Sequence, residues 1–145
     1  MNVMIAIVAL SVGVIGTANY RYYAALSARK AAMRMTATRI GQLFCESWRG
    51  VKGTETYDPT IYLGSDLVIT ASSGPDKPED FALLGSYTVE LNEVNYYVTL
   101  SWKDIYTGLR ALNVVVAWTW GVSQEDYTND DDTYESFKLT TYTQN

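Results

Sequence analysis

The residue types that usually carry catalysis are scarce in this chain. It contains no histidine, which removes the commonest general base and the commonest zinc ligand. Catalysis by a Ser–His or Cys–His pair is therefore excluded, and we predict no catalytic residue, no bound cofactor and no enzyme activity. Cys45 is the single cysteine, so no internal disulfide can form. It fits a small buried apolar residue better than a bridge between subunits.

One cluster of carboxylates could in principle hold a metal ion. Its members are Asp126, Asp130, Asp131, Asp132 and Glu135. Calcium takes six to eight oxygen ligands at spaced positions, usually around a turn that contains glycine. The run lacks that glycine and the spacing of an EF-hand loop. We therefore predict a solvated acidic loop over residues 126–132 and no metal site.

The N-terminal part of the chain predicts one long helix that begins apolar and becomes amphipathic. Residues 3–18 carry no charge, the first charged side chain is Arg21, and no proline occurs before residue 59. A membrane-spanning helix needs about 20 apolar residues, so we assign residues 1–20 as the membrane segment. Gly13 and Gly16 fit close helix packing in lipid. Asn19, Tyr20, Tyr22 and Tyr23 fall where an interfacial aromatic belt would lie.

A cleaved signal peptide is an alternative reading of the same segment. Its apolar core would be residues 3–15, and residues 16–18 would form the small-residue cleavage site. The absence of a basic stretch before the apolar core counts against this alternative, as does the helical pattern that continues past Ala18.

Residues 21–50 predict the amphipathic half of the same helix. Apolar side chains recur at helical spacing along one face, whereas Arg21, Arg39 and Arg49 fall on the other side. The stripe comprises Tyr22, Leu26, Met33, Ala37, Ile40, Phe44 and Trp48. Gly50 and Gly53 predict the end of the helix. We expect Leu26, Met33, Ile40, Phe44 and Trp48 to pack on the remainder of the chain, at least in the C-terminal half of the stripe.

Residues 51–145 predict an antiparallel β-sheet head of three to five strands. The candidate strands are residues 67–71, 85–91, 96–102, 112–120 and 137–142, of which 112–120 is nearly all apolar and is expected to be the central strand, covered on both faces. Residues 92–95 and 103–108 predict hairpin turns. Residues 57–79 otherwise predict a loop. The fold class is thus α+β, with the long helix packed on the sheet.

Charge is divided sharply between the two parts of the chain. Residues 1–53 contain seven basic side chains and one acid, a net charge of +6, and residues 54–145 contain four basic side chains and fifteen acids, a net charge of −11. Binding to nucleic acid requires a basic footprint, so the acidic head argues against it. The basic amphipathic half of the N-terminal helix, the stalk, could bind anionic lipid headgroups or acidic residues of neighbouring subunits.

The segment VMIAIVALSVGVIG, residues 3–16, resembles the start of mature type IV pilin-like proteins, especially minor pilins and pseudopilins. The resemblance covers about 20 residues closely and the stalk and head in layout. It implies a pilin-like fold in which the N-terminal helix anchors the subunit and then packs against other stalks. It also implies cleavage by a prepilin peptidase where a full-length leader exists. Asn2 aligns with the family's glutamate, so we expect either a start downstream of the true one or a copy that is not processed.

The leading interpretation is a non-enzymatic structural subunit of a type IV pilus or a type II secretion pseudopilus. It would be single-pass in the inner membrane, with its head extracytoplasmic, or part of a surface or periplasmic filament. Its expected partners are the lipid bilayer and other pilin-like subunits. The positive-inside rule alone would place residues 21–34 in the cytoplasm; the family layout places them outside. The alternative is a signal-anchored extracytoplasmic binding domain that does not polymerise, and an enzyme comes third.

Overall fold

The computed structural model describes residues 2–119 and 134–144, with side chains from Thr17 onward. Within these residues, two helices and five strands follow one another: α1 (Asn2–Gly50), α2 (Pro59–Leu63), β1 (Val68–Ala71), β2 (Ala82–Leu91), β3 (Val94–Tyr106), β4 (Leu109–Thr119) and β5 (Tyr134–Gln144). The strands form one antiparallel sheet in the order β1-β2-β3-β4-β5. The predicted α+β class is confirmed. Residues 1–35 and 36–145 form two compact units.

Helix α1 is continuous and ends where the glycines predicted. The Lys52 N–H donates to the Arg49 carbonyl over 2.9 Å and the Gly53 N–H donates to the Trp48 carbonyl over 3.0 Å, the hydrogen-bond pattern of a Schellman motif. The left-handed residue that usually is glycine in this motif is here Lys52, with φ 58°. Gly53 follows with φ 65°, so the chain turns sharply towards α2.

The apolar stripe of α1 is buried only in its C-terminal half. Met33, Ile40, Phe44 and Trp48 are at most 7% exposed, whereas Leu26 is 39% exposed. Burial of the stripe therefore begins at Met33.

The helix lies close to the sheet at a glycine, Gly41. A Cβ on Gly41 would lie 3.2 Å from Phe137 Cε1 and 3.4 Å from Val116 Cγ2. Because Gly41 has no side chain, α1 can lie against β4 and β5 at this point. The helix therefore covers the face that carries Val116.

Strand β4 is buried along nearly its whole length. Every residue from Arg110 to Thr119 is buried, which confirms that this apolar strand is covered on both faces. The prediction that it is the central strand was wrong: β4 is fourth of the five described strands, and β3 is the middle one. On the face away from α1, a Cβ on Gly74 would lie 2.6 Å from Thr99 Oγ1, so the loop before β2 crosses that face.

The two hairpins differ in how well the sequence predicted their turns. The β2–β3 turn consists of Asn92 and Glu93, with φ 52° and 63°, which is typical of a tight type I′ turn inside the predicted residues 92–95. The β3–β4 turn consists of Thr107 and Gly108, at the end of the predicted residues 103–108, because β3 continues to Tyr106. Asp104 pairs with Arg110 across the ladder and holds this end of the hairpin in register.

The sequence analysis missed a short helix in the predicted loop of residues 57–79. Helix α2 begins after Asp58, whose Oδ1 accepts a hydrogen bond from the Thr60 N–H over 3.0 Å, and Pro59 occupies its first turn. An aspartate before a proline is a standard helix start as well as a turn signal. The predicted acidic loop of residues 126–132 and Trp120 lie outside the described residues.

Candidate functional site

A continuously exposed helical segment precedes the sheet-packed half of α1. Every residue from 17 to 32 is exposed. Tyr20 is 77% exposed, Tyr22 67% and Tyr23 65%. Burial of a large aromatic ring is favourable, and these three rings remain exposed to water. Three such rings close together therefore indicate a surface that has a function. We call residues 17–32 the stalk surface.

The stalk surface is also strongly basic. It carries Arg21, Arg29 and Lys30, Arg34 follows directly, and the first acid in the chain is Glu46. All four cations are exposed. A surface of this composition attracts anions over the distance of about one Debye length, which is about 8 Å in physiological salt.

A second cluster joins the end of α1 to the β3–β4 hairpin, with Arg110 at its centre. Arg110 is 4% exposed although it carries a charge. Its Nε donates to Asp104 Oδ1 over 2.7 Å, and its Nη2 donates to Asp104 Oδ2 over 3.1 Å and to Glu55 Oε1 over 3.0 Å. Its Nη1 donates to the Gly53 carbonyl over 3.0 Å. We call Arg110 with these partners the arginine clasp.

The charge of the Arg110 guanidinium is neutralised by the carboxylates of Asp104 and Glu55. The guanidinium also lies over the Trp102 ring, 4.0 Å from its centroid, so its apolar face is covered. The hydrogen bonds that Arg110 donates to Asp104 lower the pKa of the Asp104 carboxyl and raise the pKa of the Arg110 guanidinium above its usual value. Both groups therefore stay charged at neutral pH, which suits a structural ion pair and not a proton donor.

A shallow groove of about 390 Å³ opens beside the clasp. It is lined by Val51, Lys52, Thr54, Glu55 and Arg110. The Arg110 guanidinium is already bound to two carboxylates there, and Glu55 brings a negative charge to the rim. The groove therefore offers Lys52 as its only cation that is not held in the clasp.

Three aromatic rings stack between α1 and α2. The Trp48 and Tyr57 ring centroids are 5.9 Å apart, and those of Tyr57 and Tyr62 are 5.3 Å apart, both pairs nearly parallel. Trp48 Nε1 donates to the Thr54 carbonyl over 2.9 Å, and burial raises the pKa of the Tyr57 hydroxyl. The stack fixes the loop between the helices against the sheet and positions the clasp.

The remaining candidates of the sequence analysis behave as follows. Cys45 is 3% exposed, and burial raises the pKa of its thiol, so it is a poor nucleophile. Across residues 2–119 and 134–144, no three side chains of the metal-binding types come together. Most of the acidic run lies outside that range.

The role of Arg110 as the centre of the clasp was not predicted from the sequence. A lone arginine before an apolar strand gave no periodic signal. The signal that could have found it is the spacing of Asp104 and Arg110 about a glycine turn at Gly108, because opposite charges at such positions can pair across a hairpin.

Comparisons with protein-family models, with curated proteins and with solved structures gave no match to this chain. Among the helices of the described residues, none has both the length and the apolar character needed to cross a bilayer.

Proposed function

We propose that this protein is a non-enzymatic, type IV pilin-like subunit, a minor pilin or a type II secretion pseudopilin. Residues 1–20 would anchor it in the inner membrane, and its N-terminal helix would pack against other subunits. The observation that carries the proposal is the division of α1: residues 36–50 pack on the antiparallel sheet, whereas residues 17–32 are exposed. The resemblance of residues 3–16 to the pilin-like N-terminus supports it.

The exposed stalk surface supports a role in assembly on energetic grounds. Tyr20, Tyr22, Tyr23 and Leu26 are between 39% and 77% exposed, so each has area left to bury. Full burial of a large apolar side chain gains about 1.5–3 kcal/mol. Contacts between neighbouring stalks would recover much of this free energy without any change in the head.

Disulfide crosslinking between copies tests the proposal. Ser27 is exposed on the stalk surface, and Thr107 is exposed in the β3–β4 turn of the head. The native Cys45 is buried and its pKa is raised, so an introduced cysteine is the reactive thiol. Ser27→Cys is expected to give covalent dimers under mild oxidation in cells that express the assembly machinery, and Thr107→Cys is expected to give few.

The same experiment separates the alternative. An anchored binding domain that does not polymerise would stay in the inner-membrane fraction, with neither variant crosslinked. Equal crosslinking of both variants would indicate random collision in the membrane. Recovery of Ser27→Cys dimers from sheared filaments or from the pseudopilus fraction would favour the pilin-like subunit.

A further inference from the structure

Tyrosine and arginine alternate on the stalk surface directly after the charge-free run. Tyr20, Tyr22 and Tyr23 are at least 65% exposed, and Arg21 between them is exposed too. Residues 3–18 before them carry no charge. Tyrosine is enriched at the boundary between lipid and water because its ring suits the apolar side and its hydroxyl suits the wet side.

We propose that residues 20–30 bind the anionic headgroups of a lipid bilayer through Arg21, Arg29 and Lys30. The proposal rests on the proposed function, because it assumes that residues 1–20 enter that bilayer. The first acidic residue of the sequence, Glu46, comes 16 residues after Lys30. A basic segment next to a membrane gains about 1 kcal/mol for each lysine or arginine near an anionic surface. Residues 20–30 are called the headgroup segment below.

The three tyrosines favour lipid over the acidic head of a second copy as the partner. A carboxylate-rich protein surface would neutralise the arginines but would leave exposed rings beside it in water. The edge of a bilayer takes both residue types, because rings sit among the glycerol groups and cations reach the phosphates. The headgroup segment alternates these two types within four residues, from Tyr20 to Tyr23.

Helix geometry predicts which cations contribute. At about 1.5 Å per residue, Arg29 and Lys30 lie roughly 12 and 13.5 Å beyond Arg21, and Arg34 lies roughly 20 Å beyond it. The headgroup layer is about 5–7 Å thick on each side, and charges are screened over about 8 Å. Arg29 and Lys30 therefore fall within reach of an anionic surface that passes through Arg21, whereas Arg34 falls outside it.

Partition of the full chain into vesicles tests the proposal with a charge-matched control. The measured quantity is the partition coefficient into vesicles of neutral phosphatidylcholine and into vesicles with about one third phosphatidylglycerol. Anionic lipid is expected to raise it by roughly tenfold to a hundredfold at low salt, and added salt should remove most of the increase. The triple variant Arg21→Gln, Arg29→Gln, Lys30→Gln should lose the increase and keep the partition into neutral vesicles.

The control triple variant removes the same number of positive charges further along the helix: Arg34→Gln, Arg39→Gln and Arg49→Gln. It should keep the increase, because these residues lie beyond the reach of the headgroups. An equal loss in both triple variants would overturn the proposal, since net charge alone would then explain binding. Equal partition of the native chain into both lipids would overturn it as well.

The two vesicle types keep this inference apart from the proposed function. Failure to enter neutral vesicles would remove the anchor on which the proposed function depends. Normal entry into neutral vesicles without any anionic increase would overturn only the headgroup segment. If the first triple variant instead lost the Ser27→Cys crosslinks between copies while lipid had no effect, the partner of the cations would be the acidic head of a second copy.

Discussion

Asp104 and Arg110 lie directly opposite each other on β3 and β4, and both oxygens of the Asp104 carboxylate accept hydrogen bonds from the Arg110 guanidinium. The same guanidinium reaches the Gly53 carbonyl just after α1. One side chain thus ties the hairpin to the end of the helix. Arg110 is almost fully buried, and the hydrogen bonds to its partners compensate the burial of its charge.

The clasp should make a measurable contribution to stability. Arg110→Ala removes the guanidinium and its packing on Trp102, and leaves the Gly53 carbonyl without its donor. Because Asp104 and Glu55 are about half exposed, water can replace part of what they lose. We expect a loss of about 1–3 kcal/mol in the free energy of unfolding by urea. Lys138→Ala, on an exposed position of β5, should change it by less than about 0.5 kcal/mol. Similar losses for both would contradict this role of the clasp.

The clasp should also make stability depend on pH in the acid range. The pKa of Asp104 is lower in the folded chain than its usual 3.8, so the unfolded chain takes up a proton first as the pH falls. The contribution is therefore present above about pH 3.8 and is lost as the pH drops through the folded pKa. Urea midpoints between pH 6 and pH 2 should fall less steeply for Asp104→Asn than for the native chain. Parallel curves of urea midpoint against pH for the two proteins would show that Asp104 does not contribute to the loss of stability in acid.

The phase of α1 can be tested with two adjacent residues. Ile40 is 4% exposed, whereas Arg39 next to it is exposed. Ile40→Asp places an unpaired carboxylate against the sheet and should cost several kcal/mol, enough to unfold a marginal domain. Arg39→Asp should cost little, because that position faces water. Thermal melts followed by circular dichroism compare the two, and equal losses would mean that the helix faces the sheet differently.

The contact between Gly41 and the sheet predicts that substitutions at two glycines of α1 differ in their effect on stability. Gly41→Leu has no room beside Phe137 and Val116, so it should cost at least about 1–3 kcal/mol through displacement of the helix. Gly50→Ala meets no atom within 4 Å and should be neutral or slightly stabilising, since alanine favours the helix. Chemical denaturation of both variants gives the comparison. A stable Gly41→Leu would show that the helix can shift away from β4 and β5 at little cost.

Removal of residues 1–20 should release a soluble, folded and monomeric protein. The core is built by residues 33–118, and its largest fully buried side chains include Trp48, Trp118 and Tyr97. A cooperative melt and a single monomeric peak on gel filtration are expected. Aggregation, or a melt without cooperativity, would show that the first 20 residues take part in the fold of the head.

The sequence predicted the elements that depend on local pattern. The length of α1 follows from the absence of proline before Pro59 and from the stripe through Ile40 and Phe44. The burial of β4 on both faces follows from its nearly unbroken apolar run. The alternating pattern of residues 96–102 predicted a strand, and these residues lie within β3. Such patterns are readable because side-chain direction repeats every 3.6 residues in a helix and every two in a strand.

Only the tertiary structure decided which part of the apolar stripe of α1 is buried. The stripe of α1 is uniform in the sequence, yet burial begins at Met33 and Leu26 is 39% exposed. The spacing of Asp104 and Arg110 could have suggested their ion pair, but the burial of Arg110 could not be predicted locally, since its carbonyl partner at Gly53 is 57 residues away. Contacts over that distance depend on how the elements pack, and no local periodicity encodes them. The sequence by itself determined a long helix before a sheet; packing decided which half of that helix belongs to the head and which described residues stay exposed.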